Sequence, residues 1–218
     1  MQIRVFGTQP AAAVDWPALS ACCAPDKYER LRSMRDPQAQ RLGATGALLL
    51  AYALKQAFGL HVTPPDFGTA GAQGKPVLRA CAPIEFNLSH SGALVLCAVA
   101  DTPVGIDIQQ RVPASDALAR RTLSSAAYQA YRSAPDADAF FCQTWALKES
   151  YCKYTGAGLA QGLRSLTVYP DAHGGICSTL RHPVFHLLDV PEGYAAALCC
   201  APCAKPAVHW VHASCLTL

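Results

Sequence analysis

Charge and long apolar runs are both scarce in this chain. Only 15 % of its 218 residues are charged, against roughly 25 % in an average soluble protein, and the net charge is +3. So small a positive excess excludes nucleic-acid binding as the default function and requires any anion site to be local. No apolar run approaches the ~20 residues of a membrane span, and the first residues lack the pattern of a signal peptide. We therefore expect a cytoplasmic protein with no nucleic-acid or membrane partner.

Apolar residues, by contrast, are abundant. They make up 51 % of the chain, which excludes disorder as the main state and suffices for one sizeable domain or two small ones. The eleven cysteines are dispersed and odd in number, unlike those of a secreted disulfide scaffold. We interpret them as reduced, mostly buried thiols.

Two long helices are indicated by the residues at their ends. Asp36 and Pro37 are typical of a helix start, apolar residues follow at helical spacing, and Gly59 is expected to end the helix. A second long helix is predicted over residues 137–154, ending at Gly156. Both helices are long enough to cover a small sheet.

The strands are predicted from apolar runs and turn residues. Runs at 93–100 and 104–108 predict two buried strands, and the turn Asp101-Thr-Pro103 between them predicts a β-hairpin. The Pro/Gly-rich stretch 64–76 is interpreted as a loop. Short strands are predicted to close the chain, with His173-Gly-Gly175 as a hairpin turn.

A weak internal repeat suggests that the chain is duplicated. Each long helix contains Ala-Leu-Lys, at 53–55 and at 146–148, and each ends near a Gly-Leu pair. Chance remains an alternative in a chain rich in alanine and leucine, but the pattern fits two halves of about 109 residues. We divide the chain into residues 1–103 and 104–218, with the functional site between the two halves.

Three strings place polar residues in apolar surroundings: Phe86-Asn-Leu-Ser-His-Ser-Gly92, Gly105-Ile-Asp-Ile-Gln109 and Trp145-Ala-Leu-Lys-Glu-Ser-Tyr-Cys-Lys153. Taken singly, each has an ordinary structural explanation. Asp107 fits a solvent-facing carboxylate on an edge strand, and Glu149 with Lys153 fits a surface ion pair of ~0.2–0.5 kcal/mol. The first string fits a polar turn that leads into a strand.

Considered together, the strings indicate a phosphate site. One stripe of the second long helix carries a large aromatic ring together with charged groups: Trp145, Lys148, Glu149, Cys152 and Lys153. Two carboxylates on rigid elements, Asp107 and Glu149, suit Mg²⁺, which prefers few protein carboxylates plus phosphate oxygens. Lysine, histidine and serine side chains nearby are suitable phosphate donors. The reaction class indicated is metal-assisted phosphoryl-type transfer.

In this order, the three strings resemble the signature of 4′-phosphopantetheinyl transferases of the large, surfactin-synthetase-activating type. Gly74-Lys75-Pro76 resembles a further element, and the likeness spans about Pro25 to Gly158. It implies a monomeric α+β fold, a pseudo-dimer of two similar halves. Each half would be a long helix packed on a small antiparallel sheet, with the active site and coenzyme A between the halves.

The reaction implied by the resemblance moves 4′-phosphopantetheine from coenzyme A to a serine of an apo acyl or peptidyl carrier protein. It depends on Mg²⁺ and releases 3′,5′-ADP. The carrier could belong to fatty-acid, polyketide or non-ribosomal-peptide synthesis.

The resemblance also assigns roles to individual residues. It implies that Asp107 and Glu149 bind Mg²⁺, and that Glu149, Lys153 and His90 take part in catalysis. Whether Glu149 or a metal-bound water accepts the serine proton stays open. Binding of coenzyme A is implied for a set of basic and hydroxyl side chains: Lys27, Arg30, Arg41, Lys75, Ser89, His90 and Lys153.

One position departs from the family pattern. Gln109 stands where many members have a second acid after Gly-Ile-Asp-Ile, so the site has one negative charge fewer. Gln109 lies two residues along from Asp107, on the same face of the predicted strand. We expect water at this ligand position, with Gln109 as an alternative ligand.

Two other functions compete with the transferase interpretation. Cys200-Ala-Pro-Cys203 and His209-Trp-Val-His212 supply zinc-type ligands, but only five residues separate the pairs, short of the ~12–15 of a zinc finger. Free thiols in a strand core are the favoured interpretation. The second alternative is a non-catalytic regulatory protein of the same fold that binds coenzyme A or a carrier, for which Gln109 is the hint.

Overall fold

The computed structural model describes residues 2–70, 75–79, 84–158 and 162–216. It has the expected mixed α+β composition, and the chain divides into two compact units. The first is formed by the residues before Val104 together with those after Lys205, and the second is Val104–Lys205. In the described part of the chain, no helix has the length and hydropathy needed to cross a membrane.

Six helices and eleven strands are described. The helices are α1 (Trp16–Cys22), α2 (Pro25–Arg32), α3 (Pro37–Phe58), α4 (Asp116–Thr122), α5 (Ser125–Ser133) and α6 (Ala137–Thr155). The strands are β1 (Ile3–Thr8), β2 (Phe67–Ala70), β3 (Lys75–Leu78), β4 (Glu85–Ser91), β5 (Leu94–Ala100), β6 (Val104–Gln110), β7 (Val168–Pro170), β8 (Ile176–Ser178), β9 (Val184–Leu188), β10 (Tyr194–Cys200) and β11 (Val208–Trp210).

The first unit is built on α3, and the long helix predicted there is confirmed. The Asp36 side chain accepts a hydrogen bond from Gln38 N at 2.8 Å, and Gly59 ends the helix in the left-handed conformation with φ 68°. The helix packs on a sheet of strand order β11-β1-β5-β4. Leu49 and Leu54 of α3 are fully buried, each contributing ~1.5–3 kcal/mol of apolar burial.

The second unit is built on α6, which is also confirmed. The Asp136 side chain accepts from Ala139 N at 3.0 Å, and Gly156 ends the helix with φ 69°. The helix packs on an antiparallel sheet of order β6-β10-β9. The predicted hairpin turn at His173-Gly-Gly175 is confirmed between β7 and β8.

The predicted hairpin of β5 and β6 is wrong. β5 pairs with β1 and β4, whereas β6 pairs with β10 in the other unit. Asp101 ties the intervening turn to the start of β1, since its Oδ2 accepts from Gln2 N at 2.9 Å. Every residue of β5 is buried, so an apolar run of this kind gives no indication of which strand it pairs with.

Two further expectations differ from the structure. The stretch 64–76, expected to be a loop, contains β2 and the start of β3, which pair with each other; Pro76 is tolerated in a short two-stranded hairpin. Residues 206–218 group with the first unit rather than with 104–205. The reason is that β11 pairs in parallel with β1, with Val208 opposite Val5.

The prediction of reduced, mostly buried cysteines is confirmed for the part of the chain that the structure describes. All ten cysteines there are free thiols, and seven of them are buried. Burial raises the pKa of several, for example that of Cys22 to about 12, so these thiols are protonated and unreactive at neutral pH.

Gly105 allows the backbones of β6 and α6 to come unusually close. A Cβ atom at this position would lie 2.1 Å from the carbonyl oxygen of Ser150 and 2.4 Å from the nitrogen of Tyr154. Both are main-chain atoms, which cannot move aside as a flexible side chain does. Only glycine therefore fits here.

Candidate active site

Asp107 lies on β6 beneath α6. Its neighbours Ile106 and Ile108 are almost fully buried on the opposite face of the strand, and Ala197 of β10 is its partner in the sheet. Asp107 itself is only 6 % exposed. The alternative of a solvent-facing carboxylate is therefore wrong, because α6 covers the strand face on which that carboxylate lies.

Lys153 forms an ion pair with this buried carboxylate. Its Nζ lies 2.7 Å from Asp107 Oδ1, and the two side chains are 27 % and 8 % exposed. Partial removal from water makes such a charged hydrogen bond stronger than an exposed one. The lysine thus holds a positive charge directly at the Asp107 carboxylate.

Glu149 completes the cluster, one helical turn before Lys153. Burial raises the pKa of Glu149, and the negative charge of Asp107 raises it further, while Lys153 opposes both effects. The two carboxylates are therefore close enough for the charge of Asp107 to act on the pKa of Glu149. A divalent cation would offset their repulsion, and an all-oxygen donor set of this kind fits Mg²⁺.

Gln109 follows Asp107 on the same face of β6, as predicted. It is half-buried, and its Nε2 donates a long hydrogen bond of 3.4 Å to the carbonyl oxygen of Gln110. A bond of that length is weak. Little energy therefore opposes a rotation of the amide toward Asp107.

Lys148 does not belong to the phosphate cluster in which the helical spacing places it. It is fully buried, and its Nζ donates to the carbonyl oxygens of Leu163, at 2.6 Å, and Leu166. Burial lowers its pKa to about 8. The helical spacing places Lys148 on the correct side of α6. It does not reveal that the segment after α6 covers this part of the helix, and Lys148 anchors that segment rather than a phosphate.

Replacement of Lys148 by methionine is expected to lower stability rather than catalysis. Methionine fills similar space but leaves two carbonyl oxygens without their donor, which costs about 2 kcal/mol or more. The melting temperature should fall by roughly 4–8 °C for a chain of this length, with activity per folded molecule retained. Lys55→Met is the matched control, because Lys55 occupies the corresponding place in the Ala-Leu-Lys triplet of α3. An equal loss of stability in the two variants would contradict the anchoring role.

The first unit contains a basic cavity. It has a volume of about 380 Å³, and the predicted residues Lys27 and Arg30 line it together with Arg79, Phe67 and Phe86. Basic groups beside aromatic rings suit a ligand that has both phosphate and flat aromatic parts. The structure brings the predicted residues Lys27 and Arg30 to one cavity with Arg79, which the sequence analysis did not name.

Arg79 and Lys27 line this cavity in different surroundings. A Cβ atom at Gly68 would lie 2.3 Å from Arg79 Nε, so the guanidinium lies across the glycine of the neighbouring strand. Burial lowers the pKa of Lys27, against the opposing effect of the Cys23 thiol. Arg79 is found by the structure alone, since it ends a hairpin that the sequence does not indicate.

Four predicted residues lie elsewhere in the first unit. Ser89 is buried and His90 is exposed, because successive residues of β4 point to opposite faces. Arg41 lies half-buried on α3 and is not among the described residues that line the cavity. Lys75 begins β3, and its side chain, like Gly74, lies outside the described residues.

Known proteins of one family are similar to this chain. The model of the 4′-phosphopantetheinyl transferase superfamily matches residues 103–199. The 4′-phosphopantetheinyl transferase psf-1 of Bacillus pumilus is 36 % identical over 179 residues, which cover 78 % of this chain and 74 % of that protein. A 4′-phosphopantetheinyl transferase of Bacillus subtilis is 30 % identical over 203 residues, 90 % of each chain. The 4′-phosphopantetheinyl transferase Sfp of Bacillus subtilis strain 168 is 30 % identical over 185 residues, 82 % of each chain.

Proposed function

Because this chain belongs to the 4′-phosphopantetheinyl transferase superfamily, we propose that it transfers 4′-phosphopantetheine from coenzyme A to a serine of a carrier protein. The observation that carries the proposal is the cluster of buried Asp107 with half-buried Glu149 and Lys153. Two carboxylates and a lysine on one strand and one helix are groups suited to a reaction at a pyrophosphate.

The proposed step is a displacement at the β-phosphate of coenzyme A. The serine oxygen forms a bond to phosphorus, the bond to the bridging oxygen breaks, and 3′,5′-ADP departs. Glu149 is the proposed acceptor of the serine proton, a role supported by its place one helical turn before Lys153 and beside the Asp107 charge. Lys153 stabilises the negative charge that develops on the departing phosphate.

We propose Mg²⁺ as the cofactor, held by Asp107 and Glu149, with Gln109 or water at a further position. Bound there, the cation would neutralise the pyrophosphate and polarise its oxygens. Asp107 and Glu149 would hold the cation, and Lys153, whose Nζ lies 2.7 Å from Asp107 Oδ1, would place its positive charge beside the bound phosphates.

Coenzyme A binding is proposed to involve the first unit as well. The cavity lined by Lys27, Arg30 and Arg79 supports a site for the nucleotide end, and His90 is exposed on β4 as a phosphate ligand. Lys75, Ser89 and Arg41 stay predictions from the resemblance, as does the pseudo-dimer with the active site shared by both halves. Each unit does contain a long helix packed on a small sheet.

Mass spectrometry of an apo carrier protein tests the proposal. After incubation with this chain, coenzyme A and Mg²⁺, the carrier should gain the mass of one phosphopantetheine, and a carrier with its acceptor serine replaced by alanine should not. A panel of fatty-acid, polyketide and peptide carriers would identify the preferred class. Tight binding of coenzyme A without any mass gain on the panel would favour the regulatory alternative instead.

The substitution Gln109→Glu is expected to lower the Mg²⁺ concentration needed for half-maximal transfer. An added carboxylate on the Asp107 face of β6 supplies a third charged oxygen ligand, which strengthens cation binding. Initial rates measured against Mg²⁺ concentration check this. Gln110→Glu is the matched control, because Gln110 is exposed on the opposite face of the strand; identical Mg²⁺ curves for all three proteins would exclude a ligand role for position 109.

A further inference from the structure

Three side chains of the second unit bring soft ligand atoms together. Cys200 Sγ lies 3.6 Å from Cys203 Sγ, and Cys203 Sγ lies 3.6 Å from His186 Nε2. All three ligand atoms lie within 4.8 Å of one another. The proposed transfer assigns no role to any of these residues, so the cluster requires a separate explanation.

The spacing of these atoms matches a tetrahedral metal site. Zinc bonds of about 2.3 Å to sulfur and 2.0–2.1 Å to nitrogen place two sulfurs ~3.8 Å apart, and a sulfur and a nitrogen ~3.6 Å apart. The observed separations of 3.6 Å differ from these by no more than ~0.2 Å, which is within the tolerance for a metal site. Two of the three ligand-to-ligand separations thus match a tetrahedral site, and the third, between Cys200 Sγ and His186 Nε2, is within 4.8 Å.

The sheet explains why the ligands lie so close. His186 of β9 is opposite Leu198 of β10, and Cys200 lies two residues further along the same strand face, where a diagonal neighbour is within reach. The turn Ala201-Pro202 then brings Cys203 back to the pair. Leu198 and Cys200 are fully buried. Because His186 and Cys200 both lie on paired strands, the sheet fixes these two ligands before any ion binds.

We propose that His186, Cys200 and Cys203 bind one zinc ion, with water or another exogenous ligand at the fourth position. Thiolate and imidazole select zinc, whereas the oxygen ligands Asp107 and Glu149 select Mg²⁺, so the two sites do not compete for one cation. His186 also lines a cavity of about 650 Å³, which provides room for the fourth ligand.

The charges around the cluster are balanced. Lys205 and Arg181 line the same cavity as His186, and the positive charge of Lys205 acts on the His186 ring. The Lys205 Nζ is paired with Asp189 Oδ1 at 2.8 Å, which offsets that charge. Burial raises the pKa of Cys200 to about 12, so zinc would displace the protons of the two thiols as it binds. Two thiolates and one Zn²⁺ then form a neutral complex with the imidazole.

The histidine beside the two cysteines is His186, whereas the sequence analysis considered His209 and His212. The prediction considered His209 and His212 with the two cysteines and favoured free thiols. In the structure both histidines belong to the first unit, where the His209 ring packs 5.6 Å from Phe6 and His212 Nδ1 lies 2.7 Å from Ser214 Oγ. The spacing argument was right to reject His209 and His212, but it did not consider His186, which pairing of β9 with β10 brings to the cysteines.

Metal analysis of the untagged, full-length chain tests the proposal. After gel filtration in a non-thiol reductant, we expect one zinc per chain. Cobalt titrated into metal-free protein should give a thiolate-to-cobalt charge-transfer band and the intense visible bands of a tetrahedral site. Cys203→Ser should weaken zinc affinity by at least about tenfold, since a direct ligand matters more than its supporting contacts, and it should lower the charge-transfer intensity per bound cobalt by about half, because one of two thiolates is removed.

Matched variants separate this site from the other thiols and histidines. Cys215→Ser removes an exposed thiol and His209→Ala removes an exposed ring, and both should bind zinc as the unmodified chain does, whereas His186→Ala should not. Circular dichroism verifies that each variant is folded. The proposal is overturned if the unmodified, reduced chain gives neither zinc nor a cobalt charge-transfer band, or if that band keeps its full intensity per bound cobalt in Cys203→Ser. These readouts do not depend on transferase activity.

Discussion

Asp107→Asn is expected to lower kcat/KM for phosphopantetheine transfer by about 10²–10³-fold, the loss typical of one preorganised electrostatic group. The substitution keeps the shape of a side chain that is 6 % exposed but removes its charge. Both the proposed cation and Lys153 then lose a partner, because Lys153 Nζ lies 2.7 Å from Asp107 Oδ1. Single-turnover transfer to an apo carrier, followed by mass spectrometry, measures the effect.

The same experiment needs a charge-matched control. Asp189→Asn removes a carboxylate that is 89 % exposed and paired with Lys205 at the surface, a kind of pair worth ~0–1 kcal/mol. Its transfer rate should equal that of the unmodified chain. A transfer rate in Asp107→Asn within a factor of about three of the control would remove Asp107 from the proposed mechanism.

Glu149→Gln is expected to lower kcat by about 10²–10⁴-fold, the contribution of a positioned general base. Glutamine retains the size of the side chain, but it cannot accept the serine proton and provides one charge fewer for the cation. The exposed turn residue Glu192 offers the control Glu192→Gln. Full activity of Glu149→Gln at saturating Mg²⁺ would exclude both roles.

The same variant should be more stable than the unmodified chain when no metal is present. The folded-state pKa of Glu149 is raised above its ordinary value of 4.5, so its contribution to stability is complete below that value and is lost as the pH rises through the folded-state pKa. At pH 7 the carboxylate therefore destabilises the fold, and glutamine relieves that cost. Thermal melts in chelator should give a higher melting temperature for Glu149→Gln at pH 7, with the difference closing below pH 4.5.

Added Mg²⁺ should reverse the order of the two melting temperatures, so that the unmodified chain melts above Glu149→Gln. A ligand that binds only the folded state stabilises it in proportion to occupancy, and the unmodified chain binds the cation better. Equal melting temperatures at all pH values, with and without Mg²⁺, would show that the Glu149 carboxylate is not held near the Asp107 charge.

Local features of the fold were predictable because their causes are local. Asp36 and Gly59 determine the ends of α3, and the Ile106–Asp107–Ile108 alternation identified a carboxylate on the opposite strand face. Helical spacing likewise brought Glu149 and Lys153 to one side of α6. Each of these inferences needs only the geometry of a single element.

Features that depend on distant partners were not predictable in the same way. Nothing within β5 indicates that β1 and β4, rather than β6, are its neighbours. Lys148 has the spacing of a site residue, yet the carbonyl oxygens of Leu163 and Leu166 receive its protons. Arg79 was missed for a similar reason, since its position beside Lys27 arises from the packing of a hairpin on the first unit.

Gly105 has a consequence for the choice of cation. The main chains of β6 and α6 meet at this glycine, so the separation of Asp107 from the helix that carries Glu149 is set by backbone contact and not by flexible side chains. A larger cation such as Ca²⁺ needs oxygen distances of about 2.3–2.6 Å and more ligands, against about 2.0–2.1 Å for Mg²⁺. Two backbones in contact resist any approach, and the sheet and helix that hold them resist separation, so we expect size selectivity for the proposed cation to depend on a residue that would not touch it.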